Sequence, residues 1–294
     1  MAEIKEGYIP FRGYKTYYRI VGVCQEGKLP LLALHGGPGC AHDYLESLDA
    51  IADKYGRQVI YYDQCGCGKS RIPEGNADFY SYESYMDELD TVRKALGLKK
   101  VHLLGQSWGG MLEMVYVTKR PYEWVASMTV ASSPASAAIW VKEANRLRSY
   151  LPEDMQKALI QADKDGDYSR PEVVKASAEY YRRHVCKLDP YPDFVSRSFD
   201  QMGEDYFVMQ GASEFVITGK MKDYDVTEGL PHVKLPTLVT SGQLDEATPL
   251  IAKQVTDLIP GAKWELIEGG THLCHVEYPE LFNSIVEKFL ETHE

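Results

Sequence analysis

Ser107 stands in Gly105-Gln106-Ser107-Trp108-Gly109-Gly110, with glycine two places before it and two after it. The hexapeptide follows the apolar run Val101-His102-Leu103-Leu104 and precedes the helix-like stretch Met111 to Lys119. Between a strand and a helix, this pattern makes a sharp turn that pushes the serine hydroxyl out of the backbone. A hydroxyl attacks a carbonyl only when a base takes its proton and a third group orients that base. Behind such an elbow the acid and then the base follow in the chain. Asp245, in Ser241-Gly-Gln-Leu-Asp245-Glu246, and His272, in Gly269-Gly-Thr-His272-Leu, come in that order. Taken singly, Asp245 reads as a surface acid and His272 as a structural histidine. Taken together, at the ends of predicted strands, they read as a triad. His275 is the nearest rival base; His272 is nearer the strand end and follows the glycine pair.

Acyl transfer also needs donors for an oxyanion. The backbone amide of Trp108, next after the serine, supplies one by position. The second is expected from the loop after an earlier strand. His35-Gly36-Gly37-Pro38-Gly39 follows Leu31 to Leu34, and Gly37 is the expected donor. A merely tight turn is the alternative for this loop.

These loops need a sheet to converge on. Apolar β-rich runs alternate with helical patterns, which predicts an α/β fold with a mostly parallel sheet. Strands are predicted at 14–21, 29–34, 58–62, 101–104, 125–130, 237–241 and 263–267. Helices are predicted over 81–96, ended by Gly97, and over 281–290. From about Pro134 to Val233 the chain is charged, tyrosine-rich and helical, with candidates at 140–150 and 172–184. The expected organisation is a core of 1–133 and 234–294 with a helical cap, 134–233, over the edge where open α/β sheets bind ligands.

Composition narrows the partners. The 294 residues carry 32 basic and 43 acidic side chains, a net charge of −11. That balance argues against nucleic acid and anionic membranes, which call for basic patches. The N-terminus lacks the apolar stretch of a signal peptide, and no apolar run approaches the ~18 residues of a membrane span. A cytoplasmic protein is expected. Its six cysteines have no framework spacing and read as reduced thiols. Cys65-Gly-Cys67 lacks the partners of a zinc site. No metal and no organic cofactor is expected. Gly68-Lys69-Ser70 mimics the end of a phosphate loop, but Asp63 stands where its first glycine is required. Asp163-Lys-Asp165-Gly-Asp167 hints at a calcium loop, but Tyr168 and Val174 occupy the positions needing glycine and glutamate.

The motifs together resemble a known family. His-Gly-Gly-Pro-Gly at 35–39, Tyr62-Asp-Gln with Gly66-x-Gly68-x-Ser70, the elbow, Gly242-x-x-Asp-Glu246 and Gly-x-x-His272 are similar to those of the proline iminopeptidases and related amino-acid amide hydrolases. The likeness spans nearly the whole chain, including Val141 to Leu147. It implies an α/β-hydrolase core with a helical cap. It also implies release of an N-terminal residue, usually proline, from a small peptide or amide. The family reads the free amine with acidic residues, and the matching positions here are Glu214 and Glu246. Paired carboxylates offset the lost hydration of an ammonium group. Ser213 stands where family members often have asparagine, and Trp108 follows the nucleophile instead of a smaller or tyrosyl residue. Both bear on the preferred substrate. The tyrosines 180, 181, 191 and 206 read mostly as packing. The rival activity is a carboxylesterase or lactonase using the same triad without a free-amine requirement. A non-catalytic binding protein on the same scaffold is a third reading, although no triad member is missing.

Overall fold

The computed structural model describes residues 2–294. The chain opens with β1 (Ile4–Phe11), β2 (Tyr14–Val21), β3 (Leu31–Leu34), α1 (Asp49–Tyr55) and β4 (Val59–Tyr62). Then come α2 (Tyr82–Ala95), β5 (Val101–Gln106), α3 (Trp108–Lys119) and β6 (Val125–Ala131). Five helices follow in succession: α4 (Ala137–Arg148), α5 (Glu153–Asp165), α6 (Pro171–His184), α7 (Asp193–Asp200) and α8 (Glu204–Met209). The chain closes with β7 (Thr237–Gly242), α9 (Pro249–Leu258), β8 (Lys263–Ile267), α10 (Cys274–Glu277) and α11 (Pro279–Leu290).

The eight strands form one sheet in the order β1-β2-β4-β3-β5-β6-β7-β8. β1, β2 and β4 pair antiparallel, and the pairs from β4–β3 onward are parallel. This is the mostly parallel α/β sheet that the alternation of runs predicts. Every residue of β5 is buried, because helices cover both faces of a parallel sheet. Its neighbour β3, LLAL, is likewise buried throughout and is accordingly a continuous apolar run. On one face α2, α3 and α9 supply Leu89, Leu112 and Val255 to the core; on the other, α1 and α11 supply Ile51 and Phe282. Ser81 caps α2 by accepting a hydrogen bond from the Ser84 amide, and Gly97 follows its end at φ 67°.

β1 went unpredicted. Its sequence, IKEGYIPF, is largely exposed and carries both charge and proline. That is how an edge strand looks, because only one side of it pairs.

One contact ties α8 into the sheet edge. The Asp205 side chain is fully buried against Gly39 and Gly66. A Cβ on Gly39 would lie 2.7 Å from the Asp205 carboxylate, and one on Gly66 would lie 2.8 Å from it. The Tyr85 hydroxyl donates to Asp205 Oδ2 at 3.5 Å, while Oδ1 has no partner among the described residues. Burial pushes Asp205 up to about 7, and the nearby Glu88 adds to that push. A carboxyl raised in the folded state keeps its proton there after the unfolded chain has lost it. Stability therefore falls as pH rises from the ordinary carboxylate range, ~4, towards neutrality. Asp205→Asn should remove that penalty and gain on the order of 1–3 kcal/mol near pH 8, with little gain below pH ~4. Urea denaturation at the two pH values checks this, and an equal change at both contradicts it.

Candidate active site

Ser107 joins β5 to α3 with φ 55° and ψ −122°, a conformation an L-residue holds only at a cost of ~1–3 kcal/mol. Its surroundings impose that geometry. The Ser107 amide donates to the Ala131 carbonyl at 2.9 Å. Its own carbonyl accepts from Gly110, Met111 and the Ser133 hydroxyl, at 2.9, 3.1 and 2.7 Å. The flanking glycines serve close approach. A Cβ on Gly109 would lie 2.0 Å from the Leu34 carbonyl oxygen, and one on Gly105 would lie 2.3 Å from that of Gly109. The strained φ falls on the serine itself, and the glycines let β3, β5 and α3 press together around it.

Asp245 follows β7 and His272 follows β8, so both lie at the sheet edge that carries Ser107. His272 Nδ1 and Asp245 Oδ1 are 2.8 Å apart. Asp245 also accepts from the amides of Ala247 at 2.7 Å and Gly242 at 3.3 Å, which fix its carboxylate plane. With Nδ1 donating to Asp245, Nε2 is left to face the cavity that Ser107 also lines. His275 lies elsewhere. Its ring packs against Tyr44 and Phe282, is fully buried, and is held down to about 3 by that burial.

The loop after β3 brings Gly37, at φ 108°, to the cavity wall. His35 fastens this loop as a neutral ring. Its Nδ1 donates to the Gly36 carbonyl at 2.9 Å, and its Nε2 accepts from the Gln64 amide at 2.9 Å. Burial holds it down to about 4. Trp108 contributes the other expected amide, a first-turn N–H that has no partner within its helix. The Trp108 indole donates to Gln64 Oε1 at 2.7 Å, and Gln64 Nε2 donates to the His35 carbonyl at 2.9 Å. Gln64 thus bridges the two amide-bearing loops.

Glu214 and Glu246 face the same cavity, whose volume is about 300 Å³. Glu214 accepts from the Tyr206 hydroxyl at 2.8 Å and from Tyr181 at 3.4 Å. Glu246 Oε1 is 3.8 Å from His272 Nε2, and Glu246 Oε2 has no partner among the described residues. Burial raises both acids, and repulsion from Glu214 and Asp245 raises Glu246 further. Met111, Trp140, Met202, Ile217 and Met221 make much of the remaining wall apolar. Glu214 thus has two tyrosine hydroxyls against it, whereas one oxygen of Glu246 is buried without a hydrogen bond.

Residues 30–279 match the family described as alpha/beta hydrolase fold. The chain is 41% identical to the proline iminopeptidase of Lactobacillus helveticus (strain DPC 4571), over 99% of each. It is 42% identical to that of Clostridioides difficile (strain 630), over 99% of this chain and 100% of the relative. The crystal structure of the Mycobacterium smegmatis proline iminopeptidase superposes with a TM-score of 0.91 at 38% identity, covering 98% of each chain. That of VinJ gives 0.93 at 37% identity, covering 99% of each. The chain belongs to the proline iminopeptidase family of α/β-hydrolases.

Within this family fold, the two sequence departures have local explanations. Ser213 holds the turn that presents Glu214: its hydroxyl donates to Asp163 at 2.7 Å and accepts from the Phe215 amide at 3.1 Å. The Trp108 ring is wedged between Tyr82 and Tyr85, so its bulk is absorbed by the core beside the site. The tyrosines need correction. Tyr180 packs inside the α4–α6 helical cluster and Tyr191 packs on Phe199. Tyr181 and Tyr206 instead hold Glu214. Their sequence neighbourhoods carry no spacing that separates the two kinds. Trp140 was also missed as a wall of the site; its ring meets His272 edge-on at 6.0 Å and its Nε1 donates to the Glu214 carbonyl at 3.1 Å.

The family signature around Asp63 is structural. Asp63 accepts from the His42 amide at 2.9 Å, from His42 Nδ1 at 2.6 Å and from the Lys69 amide at 2.9 Å. Ser70 Oγ accepts from the Tyr17 amide at 2.8 Å. Among the described residues no group of three or more His, Cys, Asp or Glu could hold a metal ion, and no helix is long and apolar enough to cross a membrane.

Gly109→Ala tests the elbow packing. The added methyl meets the backbone of Leu34 and His35 and cannot be relieved by a rotamer change. The variant should lose upwards of ~2 kcal/mol of stability together with its activity. Wild-type melting and turnover would show that the close approach is dispensable.

Proposed function

We propose that this protein is a serine aminopeptidase that releases N-terminal proline from peptides and small amides. The carrying observation is the placement of Glu246, 3.8 Å from His272 Nε2 and in the cavity that Ser107 lines. An amine held there lies only one residue away from the attacked carbonyl, which makes the cut an exopeptidase cut.

Ser107 Oγ attacks the carbonyl carbon of the first residue as His272 Nε2 takes its proton. Asp245 holds the tautomer and steadies the imidazolium that forms. The oxyanion is met by the amides of Gly37 and Trp108. His272 then passes its proton to the leaving amine, and the acyl-enzyme remains. Water attacks the ester carbonyl with His272 again as base, releasing free proline and restoring Ser107. Glu214 and Glu246 take the substrate ammonium, whose charge relieves their mutual repulsion. The apolar wall suits the pyrrolidine ring. The segment 134–233 acts as a cap, since Tyr181, Tyr206 and Glu214 come from it. A cytoplasmic setting fits six cysteines that are all unpaired, five of them buried.

Three measurements test this reading. Ser107→Ala should abolish turnover of a prolyl arylamide without changing the melting temperature; near-wild-type activity refutes the mechanism. The N-acetylprolyl arylamide should be turned over far more slowly than its free-amine counterpart, and equal rates would favour a carboxylesterase or lactonase. Glu246→Gln should lower kcat/KM for the free-amine substrate about 30-fold or more, equivalent to ~2 kcal/mol.

The pH dependence follows from the raised carboxyls. Their protonation removes the charge that binds the ammonium. Affinity for the amine is therefore full where they are ionised and is lost as pH falls through their raised range. Measured on Ser107→Ala with prolinamide, the loss should begin above the ordinary carboxylate range. Binding that holds steady down to pH ~4 contradicts the amine-anchor role.

A further inference from the structure

Three loops must hold their relative positions for this chemistry, and one chain of buried hydrogen bonds runs through all of them. The Gly36 amide donates to the Tyr44 hydroxyl oxygen at 2.6 Å. The Tyr44 O–H donates to Gln106 Oε1 at 2.5 Å. Gln106 Nε2 donates to the His272 carbonyl at 3.2 Å. The directions are forced. The His272 carbonyl can only accept, so Gln106 must turn its NH₂ towards it and its oxygen towards Tyr44. Tyr44, already accepting from Gly36, spends its single proton on that oxygen. Tyr44 and Gln106 are each 2% exposed, at the wall of the cavity that Ser107 lines.

Each end of the chain touches the reacting apparatus. At one end the Gly36 carbonyl is held by His35 Nδ1 at 2.9 Å and by the Cys40 amide at 3.2 Å. The peptide group joining Gly36 to Gly37 is planar, so a fixed carbonyl fixes the direction of the Gly37 N–H. With the Gly36 amide also anchored, the oxyanion donor is set from both sides. At the other end, the His272 backbone is held through its amide by the His184 carbonyl at 2.9 Å and through its carbonyl by Gln106. The bond to Asp245 orients the ring, and these two backbone bonds fix where the ring starts. Gln106 itself immediately precedes Ser107.

We infer that Tyr44 and Gln106 are positioning residues for the reaction, forming a neutral relay that locks the oxyanion-donor loop, the nucleophile elbow and the base loop in register. The inference rests on the roles assigned above to Ser107, His272 and Gly37. It concerns alignment, so its signature is a loss of kcat at preserved substrate affinity. Because the bonds act in series, breaking either one releases the same coupling.

The test uses Tyr44→Phe, Gln106→Met and the double variant, assayed on a prolyl arylamide, with prolinol as a free-amine competitive ligand. Each single variant should lower kcat by about 10–100-fold, with KM and the prolinol inhibition constant within ~3-fold of wild type. The double variant should match the worse single variant within ~3-fold. Wild-type kcat with a lowered melting temperature reduces the pair to packing and overturns the inference. So do losses that multiply in the double variant, or a raised KM at unchanged kcat. Should Tyr44→Phe fail to fold, Gln106→Glu carries the test. It keeps the acceptor for Tyr44 but sets an oxygen against the His272 carbonyl, and the same selective loss of kcat is expected. Ser107→Ala is run alongside. If it stays active, the assignment of the nucleophile has failed; if it is dead while Tyr44→Phe and Gln106→Glu are as active as wild type, only the relay has failed.

Discussion

The rest of the site is laid out around the backbone of Ser107. An L-residue at φ 55° and ψ −122° does not stay there unaided. It is held by bonds from β6, from the first turn of α3 and from Ser133, and by the removal of every Cβ that would keep β3 and α3 apart. Gly105 and Gly109 are therefore packing residues of the elbow. The strain they help to hold lifts the serine hydroxyl to the cavity and leaves the Trp108 amide free at the start of a helix.

The remaining loops are referenced to that point by neutral side chains. Gln64 links the Trp108 indole to His35, and Gln106 with Tyr44 links Gly36 to His272. Amides and a phenol suit this work, because each can accept and donate in fixed directions without bringing charge into the core. Around the cavity, acidic side chains stand in two places. Asp245 stands beside His272, and two amides and the imidazole satisfy its oxygens. Glu214 and Glu246 stand in the cavity, the first held by two tyrosine hydroxyls and the second with Oε2 unpartnered among the described residues. In the proposed function these two carboxyls receive the ammonium group of the substrate. The segment between β6 and β7 lines the same cavity: it supplies Glu214, the tyrosines that hold it and the His184 carbonyl that accepts from the amides of both Glu246 and His272.

Much of this was legible in the chain. The elbow, the order of serine, acid and base, and the strand ends before them are local features, and a continuous apolar run marks a strand buried on both faces. β1 was not legible, because an exposed edge strand with lysine, glutamate and proline has the composition of a loop. Tyr181 and Tyr206 could not be told from Tyr180 and Tyr191, since all four are tyrosines on helices or beside helix ends. Gln64 and Gln106 were visible as family signature and as part of the elbow, but their partners lie far away in sequence.

The sequence by itself determined which groups could react, because nucleophile, base and acid are properties of residue type and their strand-end positions follow from local periodicity. It also determined the fold class, since apolar runs alternating with helices point to a mostly parallel sheet; the strand order and the antiparallel edge of β1, β2 and β4 came only with the tertiary structure. Tertiary structure alone decided which side chains meet. His272 is favoured over His275 by its place at the strand end, and the fold puts its ring at the cavity while His275 packs between Tyr44 and Phe282. Glu246 faces the same cavity as Glu214 because the fold buries both there, and its Oε2 has no partner among the described residues. Burial and direction depend on contacts between segments remote in the chain, and no local pattern encodes them.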